Sequence, residues 1–183
     1  MLDRQPVLEG GKVRLRPLRE DDWDALYAVA AQQEIWAMHP MHDRWQEPVF
    51  REFFSDALEH GGALAVLDMA SGAMLGSSRF QALSLAGEGA VEIGWTFLDP
   101  AVWGQGHNRE LKRLMVGHAL ATLGRVDFRV GEANWRSRKA LEKIGARLDE
   151  SRFEEAEVPG IGPVRHVYYV IDRANFADGP LAA

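Results

Sequence analysis

The sequence predicts an α/β fold: a mixed central sheet of about seven strands flanked by about four helices. Two observations carry that reading. Segments in which apolar residues alternate with polar ones are interspersed with segments in which they recur at helical spacing. The two kinds follow one another in the order β α α β β β α β α β β. No internal repeat, low-complexity tract or linker divides the 183 residues, so one domain is expected over 1–183, with its core at about 12–171 and a tail at 172–183.

Each element has a local reason. "KVRLRPL" (12–18) alternates Val13 and Leu15 with Lys12, Arg14 and Arg16, the pattern of a half-buried strand. "REDDWDALYAVAAQ" opens with acidic residues, which the positive end of a helix dipole favours, and repeats Trp23, Leu26, Tyr27 and Ala30 at helical spacing. "PVFREFFSDALEHGG" reads as a helix ended at Gly61–Gly62. "ALAVLDMASGAMLGSSRFQAL" reads as two strands joined at Ser71–Gly72. "GAVEIGWTFLDP" is a strand stopped by Asp99–Pro100. A glycine-containing loop and a long helix follow, with Leu111, Leu114, Met115, His118, Ala119 and Leu123 as the expected buried stripe. "RVDFRV" is a strand and "NWRSRKALEKIG" a helix closed by Gly145. "ARLDESRFEEAEV" and "PVRHVYYVI" complete the sheet.

Composition narrows the function classes. Asp plus Glu outnumber Lys plus Arg, 27 to 21, and no basic run is present, which disfavours nucleic acid and membrane surfaces as partners. No apolar run approaches the ~20 residues of a bilayer span, and the first dozen residues lack the pattern of a signal peptide. The chain has no cysteine. Disulfides, thiolate metal sites and a cysteine acyl-enzyme are thereby excluded, and a cytoplasmic location is expected.

The stretch "AVWGQGHNRELKRLMVGHAL" (101–120) carries the first functional signal. Gly104 and Gly106 allow positive φ or close backbone approach. The helix expected from about Asn108 adds unbonded N–H groups and the positive end of a dipole. Together they suit a phosphate or pyrophosphate, and on spacing alone they suit a structural turn equally well. No Gly-Lys-Ser/Thr follows, so this is not a P-loop, and the glycine spacing is not that of a dinucleotide fingerprint.

"VEIGWTFLDPAVWGQGHNRELKRLM", followed after one strand by "NWRSRKALEKIGARLDE", resembles the GNAT superfamily of acyl-CoA-dependent N-acetyltransferases. "VRLRPLREDDWDAL" and "SGAMLGSSRF" make the RimL-like branch, whose founding members acetylate ribosomal-protein N-termini, the most similar one. The resemblance implies a GNAT fold, acetyl-CoA as donor, a primary amine as acceptor (a protein N-terminus or a small molecule), and direct attack in a ternary complex. The family's pyrophosphate loop falls on Trp103, Gly104, Gln105, Gly106, His107 and Asn108. Gly106 matches its first required glycine, whereas Trp103 stands for a basic or amide residue and Asn108 for a small one. Asn108 also suits a helix N-cap. The strand ending "TFLDP" resembles the one that pairs with the pantetheine arm, which makes Phe97 and Leu98 backbone contacts.

An acceptor amine must lose a proton before it attacks a thioester. Strict alternation along "AVEIGWTF" turns Val91, Ile93, Trp95 and Phe97 one way and Glu92, Gly94, Thr96 and Leu98 the other. Glu92 is either a paired strand carboxylate or, at the position where many family members carry it, the general base. The position of the family's usual tyrosine acid holds Leu141. The resemblance instead implies Ser137 near the sulfur and Asn134 on the cofactor arm; helix capping is the other role open to both. Trp36 and Trp45 either shape the acceptor slot or anchor a loop.

His39 and His42 could suggest a metal, but Pro40 disfavours a helix through the pair and no His-Glu-x-x-His spacing exists, so no metal is expected. Two alternatives stand beside the acetyltransferase: a non-catalytic acyl-CoA-binding module, and an enzyme using another acyl-CoA. The net charge is compatible with a basic peptide or polyamine but does not select one. A homodimer is equally open.

Overall fold

The run Ala63–Val66 is buried throughout, and its side chains alternate between two cores. Leu64 and Val66 enter one, Ala63 and Ala65 the other. A strand apolar on both faces has to be covered on both. The computed structural model describes residues 1–158 and 160–182 and has helices on each side of an eight-stranded sheet.

The strands are β1 (Leu8–Glu9), β2 (Val13–Pro17), β3 (Ala63–Asp68), β4 (Met74–Ser84), β5 (Ala90–Leu98), β6 (Arg125–Gly131), β7 (Arg147–Val158) and β8 (Gly162–Asp172). The helices are α1 (Trp23–Ala30), α2 (Glu47–His60), α3 (His107–Leu120), α4 (Trp135–Lys143) and α5 (Arg173–Ala177). The sheet order is β1-β2-β3-β4-β5-β6-β8-β7. Only β5 and β6 pair in parallel; every other pair is antiparallel. The larger core packs α3 and α4 on one face, through Leu111, Met115, Val116, Leu141 and Ile144. The smaller one packs α1 and α2 on the other, through Leu26, Phe50 and Phe54. The eighth strand, absent from the sequence reading, is the two-residue β1, too short to show a period.

Two departures from regular β structure shape the centre. The parallel ladder between β5 and β6 covers only Ala90–Glu92 against Arg125–Asp127. Beyond it the two strands are no longer partners. On the other edge of β5, Ser77 pairs with Phe97 and Arg79 with Gly94, so Ser78 faces both Trp95 and Thr96. This is a β-bulge, and Trp95 adopts φ 51° within it. An extra residue flips the parity of the strand. Leu98 therefore joins Val91 and Ile93 in the α3-side core, while Phe97 enters the core beneath α1 and α2. Strict alternation through Phe97 is thus corrected.

The α3 stripe is rotated as well. Leu111, Lys112, Met115, Val116, Ala119 and Leu120 are buried, whereas Leu114 and His118 are only half-buried. His118 lies at the edge, its Nε2 2.7 Å from the Asp3 carbonyl oxygen. The helix also begins one residue earlier than expected: Gly106, at φ 88°, is the N-cap, and Asn108 lies inside the first turn. Glu110 of that turn accepts backbone N–H bonds from Gly11, Lys12 and Val13 at 3.0, 2.6 and 2.9 Å. Burial pushes its carboxyl up, yet these amides outweigh it and hold the group below its ordinary value. One carboxylate thus ties the start of α3 to the edge of the sheet.

The expected tail packs on its own chain. Asp172 and Asn175 form a reciprocal cap that starts α5, Leu181 is buried in the larger core, and the Pro180 carbonyl accepts from Arg109.

Two glycines separate backbone strain from close packing. Gly72 has φ 74° and open space where a Cβ would go. Gly76, at φ 150°, would bring a Cβ 2.0 Å from the Phe97 carbonyl oxygen. Gly72→Ala should cost about 1–2 kcal/mol. Gly76→Ala should cost about 3 kcal/mol or more, because the cross-strand carbonyl must also move. Urea unfolding of both variants checks the order; equal losses would mean that β4 and β5 separate easily.

Candidate active site

Where β5 and β6 part, they leave a cleft of about 390 Å³. Its walls include Glu92, Gly94, Trp95 and Thr96 of β5, Phe128 and Arg129 of β6, Asn108 and Lys112 of α3, and Asn134, Ser137 and Leu141 at α4. The segment between α1 and α2 closes one side with Trp36, His39 and Arg44. The cleft brings together Glu92, Ser137, Asn134, Asn108 and Trp36 of the residues singled out in the sequence.

Glu92 sits at the last rung of the parallel ladder and is 7 % exposed. Burial raises its carboxyl above the ordinary value, and the Arg129 guanidinium, with Nε 3.6 Å from Oε1, opposes the shift. Gln81 Nε2 donates to the same oxygen at 3.5 Å. A carboxylate whose affinity for a proton is raised in this way is a better proton acceptor than a solvated one.

Asn134 and Ser137 have different positions in α4. Asn134 is the N-cap, its Oδ1 accepting from the Ser137 N–H at 3.1 Å. Ser137 is three residues further on, with its hydroxyl uninvolved in the cap. Asn134 caps the helix and also lines the cleft, whereas Ser137 lines the cleft with its Oγ uncommitted to the helix end.

The loop before α3 has the form of an anion cradle. Gly104 and Gly106 are at φ 74° and 88°. The first intrahelical bond runs from Glu110 N–H to the Gly106 carbonyl at 3.0 Å, so the amides of His107, Asn108 and Arg109 precede it. A Cβ at Gly106 would meet only Lys12, at 3.7 Å, so the positive φ rather than crowding calls for glycine there. That cradle suits a pyrophosphate. Gln105 Nε2 donates to the Ala101 carbonyl at 2.6 Å and steadies the turn. Trp103 donates its indole N–H to the Leu98 carbonyl at 2.9 Å, with Arg136 stacked 4.4 Å from its ring centroid. The Leu98 carbonyl, expected to pair with a pantetheine arm, is thus already engaged. The Phe97 side chain packs 5.1 Å from the Trp36 ring centroid, on the face opposite Leu98.

Trp36 and Trp45 also separate. Trp36 is buried, donates to the Ala30 carbonyl at 2.7 Å and borders the cleft. Trp45 packs outside it against the smaller core, and its carbonyl accepts from the Tyr27 hydroxyl. His39, in the same segment, is held neutral: burial and the neighbouring Arg44 push it down to about 3. Among the described residues no three His, Cys, Asp or Glu side chains are grouped to hold a metal ion.

The sequence reading missed Lys112. It is 4 % exposed, donates to Thr96 Oγ1 at 2.6 Å and lies 5.5 Å from the Phe128 ring centroid. Burial lowers its ammonium to about 7. The signal was present in the helix periodicity: a stripe drawn through Val116 and Leu120, rather than Leu114 and His118, turns position 112 inward. The unfolded chain keeps this proton to about 10.5, whereas the folded protein releases it near 7. Stability should therefore rise with pH across that window, by up to about 1.4 kcal/mol per pH unit. Lys112→Met should flatten this component; urea midpoints of both proteins between pH 7 and 9.5 test it, and parallel curves would mean that Lys112 is solvated.

The comparisons with known proteins agree with this geometry. Residues 12–147 match the family described as an acetyltransferase (GNAT) domain. No curated protein matches the sequence. Among solved structures, a GCN5-related N-acetyltransferase from Brucella melitensis is 21 % identical with a TM-score of 0.76, over 94 % of this chain and 80 % of that one. RimJ from Mycobacterium smegmatis, solved with CoA-disulfide, is 19 % identical with a TM-score of 0.70, over 96 % and 89 %. A ribosomal-protein-S5-alanine acetyltransferase from Vibrio fischeri is 13 % identical with a TM-score of 0.66, over 92 % and 97 %. With a family match over most of its length and a sheet that parts between β5 and β6, the chain belongs to the GNAT family of acetyl-CoA-dependent acetyltransferases.

Proposed function

We propose that the protein, as one acyltransferase domain over 1–183, moves the acetyl group of acetyl-CoA to a primary amine by direct attack, in the manner of the RimL-like branch. The observation that carries this reading is Glu92, a buried carboxylate at the point where β5 and β6 part. The amides from His107 to Arg109 hold the pyrophosphate. The outer half of β5, at Phe97 and Leu98, runs beside the pantetheine arm, with Asn134 on its other side. The acceptor enters past Trp36. Glu92 takes a proton from the acceptor ammonium, directly or through a water. The amine nitrogen then adds to the thioester carbonyl, and the carbon–sulfur bond breaks with the departing sulfur held by a hydrogen bond from the Ser137 hydroxyl. The proton that the nitrogen sheds in becoming an amide ends on that sulfur, so that CoA leaves as its thiol. The amide forms in one transfer with no acyl-enzyme, as a chain without cysteine requires of any thiol route.

Glu92→Gln keeps the shape and removes the proton acceptor. Turnover in an acetyl-CoA assay across N-terminal peptides, amino acids, polyamines and aminoglycosides should fall by about 10²–10⁴-fold. The acidic limb of the pH–rate profile, set by a carboxyl raised above its ordinary value, should vanish with it. CoA affinity should hardly move. Unchanged turnover with chemistry rate-limiting assigns the proton to another group.

Ser137→Ala isolates the sulfur side. Because Asn134 supplies the cap, unfolding stability should stay within the small range of a neutral substitution, about ±0.5 kcal/mol, and the melting temperature should hardly move. Turnover should drop, and the drop should shrink for acyl donors whose thiol is more acidic, since a better leaving group needs less help. Full activity in the variant removes Ser137 from the reaction.

A further inference from the structure

At and behind the wall of the cleft nearest α2 lie guanidinium donors that no acceptor meets, beside one buried acceptor, Asp43 Oδ1, that is likewise unpaired among the described residues. Arg44 is half-buried between Phe53 and Trp36, with Cζ 4.9 and 5.7 Å from the ring centroids. Among the described residues its guanidinium makes neither a hydrogen bond nor an ion pair; Asp43 and Asp56 lend only their charge. Arg79 shares the Phe53 ring at 5.8 Å. It is 4 % exposed and gives Nη1 to Asp56 at 2.7 Å, while its Nε and Nη2 are buried without a partner. Arg79 also stacks on Trp95 at 5.3 Å, as does Arg129 at 5.7 Å. Arg129 is satisfied by Glu92 and Glu154. A row of three guanidiniums thus leads from the α1–α2 segment to the base, and its far end is unfilled.

Two adjacent guanidiniums with unused donors are costly in a partly dry wall unless an anion joins them. Burial and Arg79 lower Arg44 to about 10, against the pull of Asp43, so it remains charged at neutral pH. The planar fork of arginine matches a carboxylate with two parallel hydrogen bonds.

Taking the amine-acetylation reading as given, we infer that the acceptor carries a carboxylate as well as its amine, and that Arg44, backed by Arg79, receives that carboxylate while Glu92 faces the amine. The carboxylate can belong to a free amino acid or to an acidic residue at the start of a peptide. The negative net charge of the chain gives no guide here, because the wall that meets the acceptor is cationic.

Calorimetric titration of the CoA-saturated protein tests this. The ligands are glycine against glycinamide, glutamate against glutamine and isoglutamine, and Asp-Ala-Ala-amide against Asn-Ala-Ala-amide. At least one acid should bind about tenfold or more tightly than its carboxamide, and the pair that shows it tells amino acid from peptide. Arg44→Met should reduce that preference about tenfold, and Arg44→Lys, which keeps the charge without the fork, by less. Melting temperature and CoA affinity identify a variant that has not folded, in which case the wild-type and Arg44→Lys preferences decide. Equal binding of acids and carboxamides throughout, or a preference untouched by either variant, overturns the assignment. Acetylation of the same compounds is followed separately. Turnover without acid preference removes the carboxylate site alone; acid preference without turnover of any amine leaves that site standing and removes the transferase reading.

Discussion

The parallel pairing of β5 with β6 lasts three residues, and the site depends on its stopping there. A parallel ladder continued past Glu92 would satisfy the outer half of β5 with backbone partners and leave no cleft. The bulge at Trp95 and Thr96 works in the same direction. It adds twist, aims Trp95 toward Arg79 and Arg129, and reverses the inside and outside of every later residue of the strand. The partner strand leaves with β8, to which β6 pairs along its whole length. Two sheets' worth of hydrogen bonding thus pull on either side of a gap, and side chains from α3, α4 and the α1–α2 segment fill its rim.

Most of the architecture was legible because it rests on period. Seven of the eight strands and the four long helices follow from alternation, helical spacing and glycine or proline stops. What escaped has local causes. β1 is too short to show a period. The short α5 starts on a reciprocal Asp172–Asn175 cap rather than on an apolar stripe. The parity change in β5 has no marker except Gly94 before the bulge, and a tryptophan at φ 51° is not something a propensity predicts. Of the site, Glu92 and the glycine loop were readable because resemblance named their positions. Asn134 and Ser137 were readable as a pair but not as a division of labour, which depends on which oxygen meets which N–H. The arginines were invisible: Arg44, Arg79 and Arg129 lie on three different elements, and only the fold makes them neighbours.

Burial acts in opposite directions on the cleft's two chemically important ionisable groups. Desolvation raises Glu92 and lowers Lys112. Each is moved toward neutrality, as a low-dielectric setting requires. Glu92 keeps the Arg129 guanidinium nearby, which opposes the upward push of burial. Among the described residues Lys112 has only a threonine hydroxyl and an aromatic face, and it gives up its proton near neutral pH. The cleft therefore has the Glu92 carboxyl on the side of Arg129 and little fixed positive charge at Lys112.

The positive potential on the opposite side comes instead from backbone. Both α3 and α4 begin at the cleft, contributing Asn108 from the first turn of one and Asn134 with Ser137 from the start of the other. Helix N-termini supply unbonded amides and the positive end of a dipole without a side chain that must be held in place. The two helices are fixed differently. Glu110 reaches across to three amides of the β1–β2 turn and anchors α3 to the sheet, so that the amides ahead of it stay available. Asn134 closes only the first bond of α4 and leaves the Ser137 hydroxyl uncommitted. An anchored helix suits a bound pyrophosphate, whose charge does not change in the reaction. A helix start with a hydroxyl to spare suits a sulfur that becomes negative only as its bond to carbon breaks.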